Sequence, residues 1–523
     1  MGQRGRRSAA PIGSPRAIHI AEPLLQFGHE QACEYVKDGL FLFGPLAPMP
    51  GRGSLRFGVI GTTGSQRRFD RWSESVRTGI DSDQGKAHRV AWPGFSAVFE
   101  VAWPTQPLAR VTIDAVNVLN AIRRENRHEA VYEAVGIFEK AICQYLEREE
   151  AHPDFWFVVI EEEVFRLGRP EQIVPVENRT PSQLPMSSKE ARKSLAGGTS
   201  LLFPQWQAEA DATIAVEAYE VNFHNQLKAR MLKHRVVVQI LRETTIAPED
   251  FLNVSGRTRR RVDDPATIAW NLCTTAFFKA QGRPWQLHAV RPGVCYVGLV
   301  FKQLHAPTAE ANACCGAQMF LDSGDGVVFK GVEGNWYKAE RKECHISKER
   351  ASELMSTVVA AYEEKHGSPP SELFIHGRTR FDEAEWDGFQ FAAPPATKLA
   401  GIRIRRSMDT RLYRESGTTP ILRGMAMILS KRRALLWSRG YVPRLETYPG
   451  WEVPAPLDIE VSRGDCAIEQ VLTDVLGLTK LNYNACIYAD GMPVTLRFAN
   501  AVGEILTAVP ETDHRPQPFR YYL

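Results

Sequence analysis

Short apolar runs alternate with amphipathic stretches along this chain. "LRFGVIG" (55–61), "FWFVVI" (155–160), "RVVVQIL" (235–241), "VGLVF" (297–301) and "ELFIHG" (372–377) are rich in β-branched and aromatic residues. Runs of that length and composition predict buried strands. "EAVYEAVGIFEKAICQYLEREE" (129–150) and "ERASELMSTVVAAYEEKHG" (349–367) repeat apolar residues at three- and four-residue spacing, which predicts helices with one buried face. The alternation predicts an α/β architecture with largely parallel sheets. The polar, turn-rich segment 176–200 predicts a loop or insertion. The main boundary is placed near 291–293, where "RPG" precedes a new apolar strand.

Composition narrows the class. The chain has 523 residues, 44% apolar and 24% charged, which suits a globular protein of several domains. The 9 Cys are scattered and form no CxxC pair or Cys/His zinc spacing. They are read as reduced thiols of a cytoplasmic protein. No apolar run approaches the roughly 18 residues of a spanning helix. The start, "MGQRGRRSAAPIGSPR" (1–16), is basic and lacks an apolar signal core. It predicts a flexible basic tail.

Net charge is only +3, yet basic residues cluster at "RTRRRV" (257–262), "GIRIRR" (401–406) and "KRRALLWSRG" (431–440). Singly, such clusters are more often solvated faces. Together on a balanced surface they fit a groove for a phosphate backbone, with Arg259, Arg403 and Arg405 as candidate lining residues. The glycines of "GVIGTTG" (Gly58, Gly61, Gly64) follow a strand. Without a Walker Lys-Ser/Thr pair they read as a tight turn with no ligand.

The richest chemistry lies in "NFHNQLKARMLKHRVVVQIL" and "ATIAWNLCTTAFFKAQGRPWQL". His224 and Lys228 are four apart on a predicted helix and share a face. Gln239 falls in the next strand, and Lys279 ends the next helix, before "AQGRPW". Two lysines, an imidazole and an amide suit a terminal phosphate: point charge from Lys, directed hydrogen bonds from His and Gln. Alone, a lysine at a helix end only complements the dipole.

This order of residues resembles the MID domain of Argonaute proteins. "LLWSRGYVPRLETYPGWEVPAPLDIEV" and "LTKLNYNACIYADGMPVTLRFANAVGEIL" resemble the closing half of a PIWI domain. "IAEPLLQFGHEQ" and "DGLFLFGPL" resemble the family's lead-in segment. The resemblance implies a Rossmann-like MID domain followed by an RNase H-like PIWI domain. It divides the chain into a tail (1–16), a lead-in segment with MID (17–290) and PIWI (291–523). Too little chain precedes MID for N and PAZ domains, so the layout resembles the short prokaryotic Argonautes. His224, Lys228, Gln239 and Lys279 are then expected to hold the 5′-phosphate of a guide. A second lysine common in the family is replaced near Thr275. A Mg²⁺ between the phosphate and the carboxylate of Leu523 is expected to compensate.

Slicing PIWI domains bind two Mg²⁺ through a carboxylate tetrad, because both ions must bridge the scissile phosphate. The matching positions here are Val300, Gly377 and Asn500, none of them acidic. Glu310 lies beyond the strand end, His376 and Arg378 flank Gly377, and Glu333 in "GVEGNW" reads as an unrelated loop acid. The resemblance therefore implies a non-cleaving sensor rather than an enzyme. A guide RNA would pair with invading single-stranded DNA in prokaryotic immunity. A separate subunit carrying an APAZ region and a TIR or sirtuin-like effector would then deplete NAD. Two other readings stay open: an active guide-directed nuclease, and a small-ligand α/β binding protein.

Overall fold

Two sheets organise the chain. The computed structural model describes residues 15–49, 53–82, 86–196, 204–289, 291–303, 313–321, 326–334, 337–338, 343–448, 450, 452–510 and 516–523. Most of the predicted tail, and Glu310, lie outside the described residues.

Strand β1 (Arg16–His19) joins the second sheet. The first sheet is built from β2 (Phe57–Gly61), β3 (Ala109–Thr112), β4 (Phe155–Ile160) and β5 (Val238–Arg242). It is wholly parallel, in the order β3-β2-β4-β5. The alternation of side chains along β4 explains why. Phe155, Phe157 and Val159 enter one apolar cluster with Phe57, Phe69, Trp72 and Trp103. Trp156, Val158 and Ile160 enter another with Phe138 and Ile142. A strand buried on both faces belongs inside a parallel sheet covered twice by helices. Gly58 is required here, since a Cβ would sit 2.5 Å from the Trp156 ring.

The covering helices follow local signals. Thr62 caps α1 (Thr63–Thr78), and Asn126 caps α2 (Arg127–Arg148), each through its side chain. The "GVIGTTG" turn, read as having no ligand, links β2 to α1. Its hydroxyls meet protein carboxylates: Thr62 Oγ1 donates to Glu161 at 3.1 Å, and Ser65 Oγ to Glu243 at 3.4 Å. Segment 176–200 differs from the predicted loop, because it contains helix α3 (Ser188–Ala196). A capping box starts it. Ser187 Oγ accepts from the Glu190 amide, and the Glu190 carboxylate accepts from the Ser187 amide.

Asn222 caps α4 (Phe223–Lys233) by accepting from the Asn225 amide. Helix α5 (Pro265–Lys279) is apolar on nearly all sides and is buried along most of its length. Such a helix packs inside a protein rather than on its surface.

The second sheet comprises β1 and β6 (Val294–Gln303), β7 (Ala313–Leu321), β8 (Gly326–Gly334), β9 (Glu372–Gly377), β10 (Lys398–Arg406), β11 (Met425–Ser430), β12 (Arg433–Leu436), β13 (Leu457–Arg463) and β14 (Gln517–Pro518). Its order is β1-β11-β12-β13-β10-β9-β6-β7-β8-β14. This corrects the expectation of largely parallel sheets. Only β9 pairs in parallel, with β6 and β10; the other pairings are antiparallel. Helices α6 (Lys348–His366) and α7 (Glu383–Ala392) pack together over one cluster of this sheet. Helix α8 (Ala499–Leu506) packs on β6. Among the described residues, no helix is long and apolar enough to cross a membrane.

A buried ionic knot ties the lead-in segment to the second sheet. Glu22 accepts from Arg423 Nε at 2.9 Å and from Lys480 Nζ at 2.8 Å. Lys480 also donates to the Glu34 carbonyl, and Arg423 to Thr479 Oγ1. Burial would raise the Glu22 carboxyl, but Arg423 and Lys480 outweigh it and hold it below its ordinary value. Removing one partner of a buried pair leaves an uncompensated charge and costs about 3–5 kcal/mol. Glu22→Gln is therefore expected to lower stability on that scale, read as a lower urea midpoint. An unchanged midpoint would contradict this role.

Candidate functional site

The Asn222 cap sets the register of α4, so His224 sits in its first turn and Lys228 one turn further on the same face. Phe223 is drawn into the apolar cluster under the first sheet, which anchors that turn. Lys279 closes α5, just before a turn at Gly282 that has no room for a Cβ: it would meet the Phe277 ring at 2.4 Å. Gln239 follows Val238 in β5. The chain's last residues run from β14 back to these elements.

Two lysines meet one oxygen there. Lys228 Nζ donates to the Leu523 main-chain oxygen at 2.5 Å and to Tyr522 O at 3.0 Å. Lys279 Nζ donates to the same Leu523 oxygen at 2.6 Å and to Val238 O at 2.6 Å. When protonated, each ammonium has three donors and keeps one beyond these contacts. Both lysines are buried, at 4% and 0% exposure. Burial pushes Lys228 down to about 7, and burial together with Lys228 drives Lys279 well below the ordinary lysine range. His224 is exposed at the first turn of α4; desolvation by the close packing around it, and then Lys228, push it below its ordinary value, toward the neutral imidazole. Its Nδ1 lies 3.2 Å from Asn225 Oδ1. Gln239 Oε1 is buried and has no hydrogen-bond partner among the described residues. Thr275 donates to Asn271 O and Tyr483 O, so its hydroxyl serves the backbone.

A cavity of about 440 Å³ opens beside His224, lined by Phe165, Asn225, Arg242, Thr245 and Leu272 among others. Arg169 and Arg242 lie against the Phe165 ring, at 4.1 and 3.5 Å from its centroid. A second cavity, about 460 Å³, gathers Lys37, Arg89, Arg261 and Arg439, with His88 and the acids Asp263, Asp264 and Asp490 also on its wall. Its lysine and arginines come from widely separated segments, and apart from Arg261 and Arg439 no local cluster marks them in the sequence.

Of the three proposed channel arginines, Arg259 is exposed. Arg403 is 8% exposed, and its Nη2 contacts Asp458 at 3.0 Å and Glu460 at 2.8 Å, so its charge is engaged within the sheet. Antiparallel register explains this, because β13 sets Glu460 opposite Arg403 and Asp458 opposite Arg405. Arg405 is half-exposed and pairs with Asp458 at 3.1 Å.

The positions matched to a cleavage site come from adjoining elements. In the parallel pairing of β6 and β9, His376 lies level with Gly298. Val300 and Gly377 therefore follow at the same end of neighbouring strands, while Asn500 is exposed on α8. The backbone beside two of these positions is closely packed. A Cβ at Gly298 would meet the Thr495 carbonyl at 1.9 Å, and one at Gly377 would meet Phe381 Cζ at 3.1 Å. His376 is buried, pushed down to about 3 by desolvation, and bonds Thr495 Oγ1 at 2.9 Å. Glu333 falls in β8 rather than in a loop.

No protein-family model and no curated protein matches the chain. Solved structures do. Clostridium butyricum Argonaute, bound to a guide DNA and a 19-mer target DNA, gives a TM-score of 0.60 at 14% identity, covering 96% of this chain and 54% of that one. Drosophila Piwi gives 0.57 at 13% identity, covering 97% and 56%. A. aeolicus Argonaute gives 0.54 at 12% identity, covering 96% and 55%. The chain thus spans about half the length of the structures it matches. Its fold, a parallel sheet followed by a mixed one, is the MID–PIWI fold of the Argonautes.

Proposed function

We propose that this chain is a guide-directed nucleic-acid recognition protein that holds the guide's 5′-phosphate and does not cut its target. One observation carries the reading: two buried lysines from different helices converge on the Leu523 oxygen, and Gln239, next in β5 to the Val238 whose carbonyl Lys279 also holds, has a buried oxygen with no partner among the described residues. A buried cluster of cations calls for an anion. Lys228 and Lys279 supply the charge, and neutral His224 and Gln239 orient the phosphate by hydrogen bonds. The Gln239 and Leu523 oxygens also fit a Mg²⁺, a hard ion that takes oxygen ligands. Bound there, it would neutralise phosphate charge. The cavity beside His224 would take the first base, and the basic cavity at Lys37, Arg89 and Arg439 would take the backbone that follows.

The absence of cleavage is supported by Val300, Gly377 and Asn500, none of which can ligate two Mg²⁺. The packed His376–Thr495 contact leaves little room for such ions. Base pairing would then read the target while the protein reads the backbone. A guide RNA and a single-stranded DNA target are the partners we infer. The output would come from an APAZ-bearing subunit with a TIR or sirtuin-like effector. Moving such a complex from 1:99 to 99:1 active takes about 5.5 kcal/mol of differential target binding.

A 5′-phosphorylated guide RNA is expected to bind about tenfold or more tightly than its 5′-hydroxyl counterpart, the scale of one or more charge-assisted hydrogen bonds. His224→Ala and Gln239→Ala should narrow that ratio, as read by filter binding. A ratio of one in the unsubstituted chain would exclude the site. Incubation of the loaded chain with complementary DNA and Mg²⁺ or Mn²⁺ should give no product; guide-dependent cleavage would overturn the non-cutting assignment.

The pH dependence follows from the lysines. A phosphate favours their charged forms, so binding takes up protons above the free-state value of about 7 for Lys228. The 5′-phosphate advantage should therefore be largest near neutrality and fall as pH rises toward the ordinary lysine range. Below about 6 the phosphate's own second ionisation weakens it. Fold stability without guide runs the other way. Unfolding takes up the proton that a depressed lysine lacks, so stability rises with pH from about 7 to about 10. Calorimetry in buffers of different ionisation enthalpy measures the uptake; none at pH 8 would contradict the assignment.

A further inference from the structure

Away from the guide site, three metal-ligating side chains meet where α6 and α7 begin. His345 precedes α6, Asp382 is the N-cap of α7, and Glu385 lies in its first turn. Their donor atoms all lie within 4.8 Å of one another. His345 is 4% exposed and Glu385 2%, so neither is solvated. The helices are pressed together here: a Cβ on Gly388 would meet the Lys348 carbonyl at 2.2 Å.

The imidazole is flanked on both sides. Nδ1 lies 3.3 Å from Glu385 Oε2, and Nε2 lies 3.3 Å from Glu343 Oε2. A neutral ring carries one proton, so one of its nitrogens faces a carboxylate with a lone pair. Either a second proton or a bound cation completes that side. A charge-assisted N–H···O contact would close to about 2.7–2.9 Å. A tetrahedral ion with bonds of about 2.0–2.1 Å instead separates its ligand atoms by about 3.3–3.4 Å. Both flanking distances are 3.3 Å and fit the second geometry equally, so the site rests on the convergence of three ligand atoms rather than on either distance.

We propose that His345 Nδ1, Glu385 and Asp382 bind a divalent transition cation of the zinc class. The half-exposed Asp382 side gives the ion its path in. Glu343, whose side chain is 37% exposed, then accepts from the Nε2–H of the ligating histidine. Such an outer carboxylate fixes the ring tautomer and strengthens the ligand. One imidazole and two carboxylates suit zinc better than magnesium, which prefers an all-oxygen shell with several waters. The remaining position would take water. Asp382 already accepts from the Glu385 amide through Oδ1 at 2.9 Å, which holds the two acidic ligands in mutual register. The role is structural: the ion pins the segment entering α6 to the start of α7, two elements that cover the second sheet.

The test uses the full chain, stripped of metal and kept in millimolar Mg²⁺ to satisfy any oxygen-only site. Zn²⁺ is titrated against a chromophoric chelator, and bound zinc is counted after gel filtration. The unsubstituted chain should hold one equivalent that His345→Gln lacks, and its thermal midpoint should rise with Zn²⁺. Asp382→Asn is the second variant, because Asn still caps a helix; it should stay folded and bind about tenfold or more weakly. Glu353→Gln, on the exposed face of α6, should bind as the unsubstituted chain does. No bound zinc in the unsubstituted chain, or equal binding by Asp382→Asn, would overturn the site and leave His345 as a buried imidazolium between carboxylates.

Discussion

The contact on which the functional reading depends is the Leu523 main-chain oxygen held by Lys228 and Lys279. Burying an ammonium group is unfavourable, and burial alone pushes Lys228 down to about 7, while Lys279 is lowered by burial and then by Lys228. Backbone carbonyls of Tyr522 and Val238 relieve part of it. An incoming phosphate would relieve the rest. The contact also joins both halves of the chain, because α4, α5 and β5 belong with the first sheet and Leu523 returns from the edge of the second. Guide loading would therefore be felt in the arrangement of both sheets.

The same logic separates structural from functional charge. Arg403 is paired across the strands with Asp458 and Glu460, as Glu22, Arg423 and Lys480 form a charge-matched knot. None of these needs a ligand. The lysines at Leu523 each keep a donor, and Gln239 keeps an acceptor. His345 faces a carboxylate on each side of its ring. Groups with unmet demand are where ligands are to be sought.

The sequence makes the local decisions legible. "FWFVVI" and "ELFIHG" coincide with β4 and β9, because short apolar runs between turns have few other solutions. The order His224, Lys228, Gln239, Lys279 was readable because a helix cap, a strand and a helix end fix those positions locally. Long-range geometry was not readable. The antiparallel character of the second sheet depends on which strands meet, and so does the burial of Arg403 against β13. The basic cavity and the His345 cluster draw residues from distant segments that no periodicity connects. The α3 capping box was visible as Ser187 and Glu190, but the polar character of its surroundings concealed it.

The central claim is that the lysine pair at Leu523 receives the guide's 5′-phosphate. The most direct measurement is a structure of the chain bound to a 5′-phosphorylated oligonucleotide. The account predicts the terminal phosphate within hydrogen-bonding distance of Lys228 Nζ and Lys279 Nζ, with the first base beside His224. A guide whose 5′ end lies elsewhere, with the lysines still closed on Leu523 alone, would contradict it.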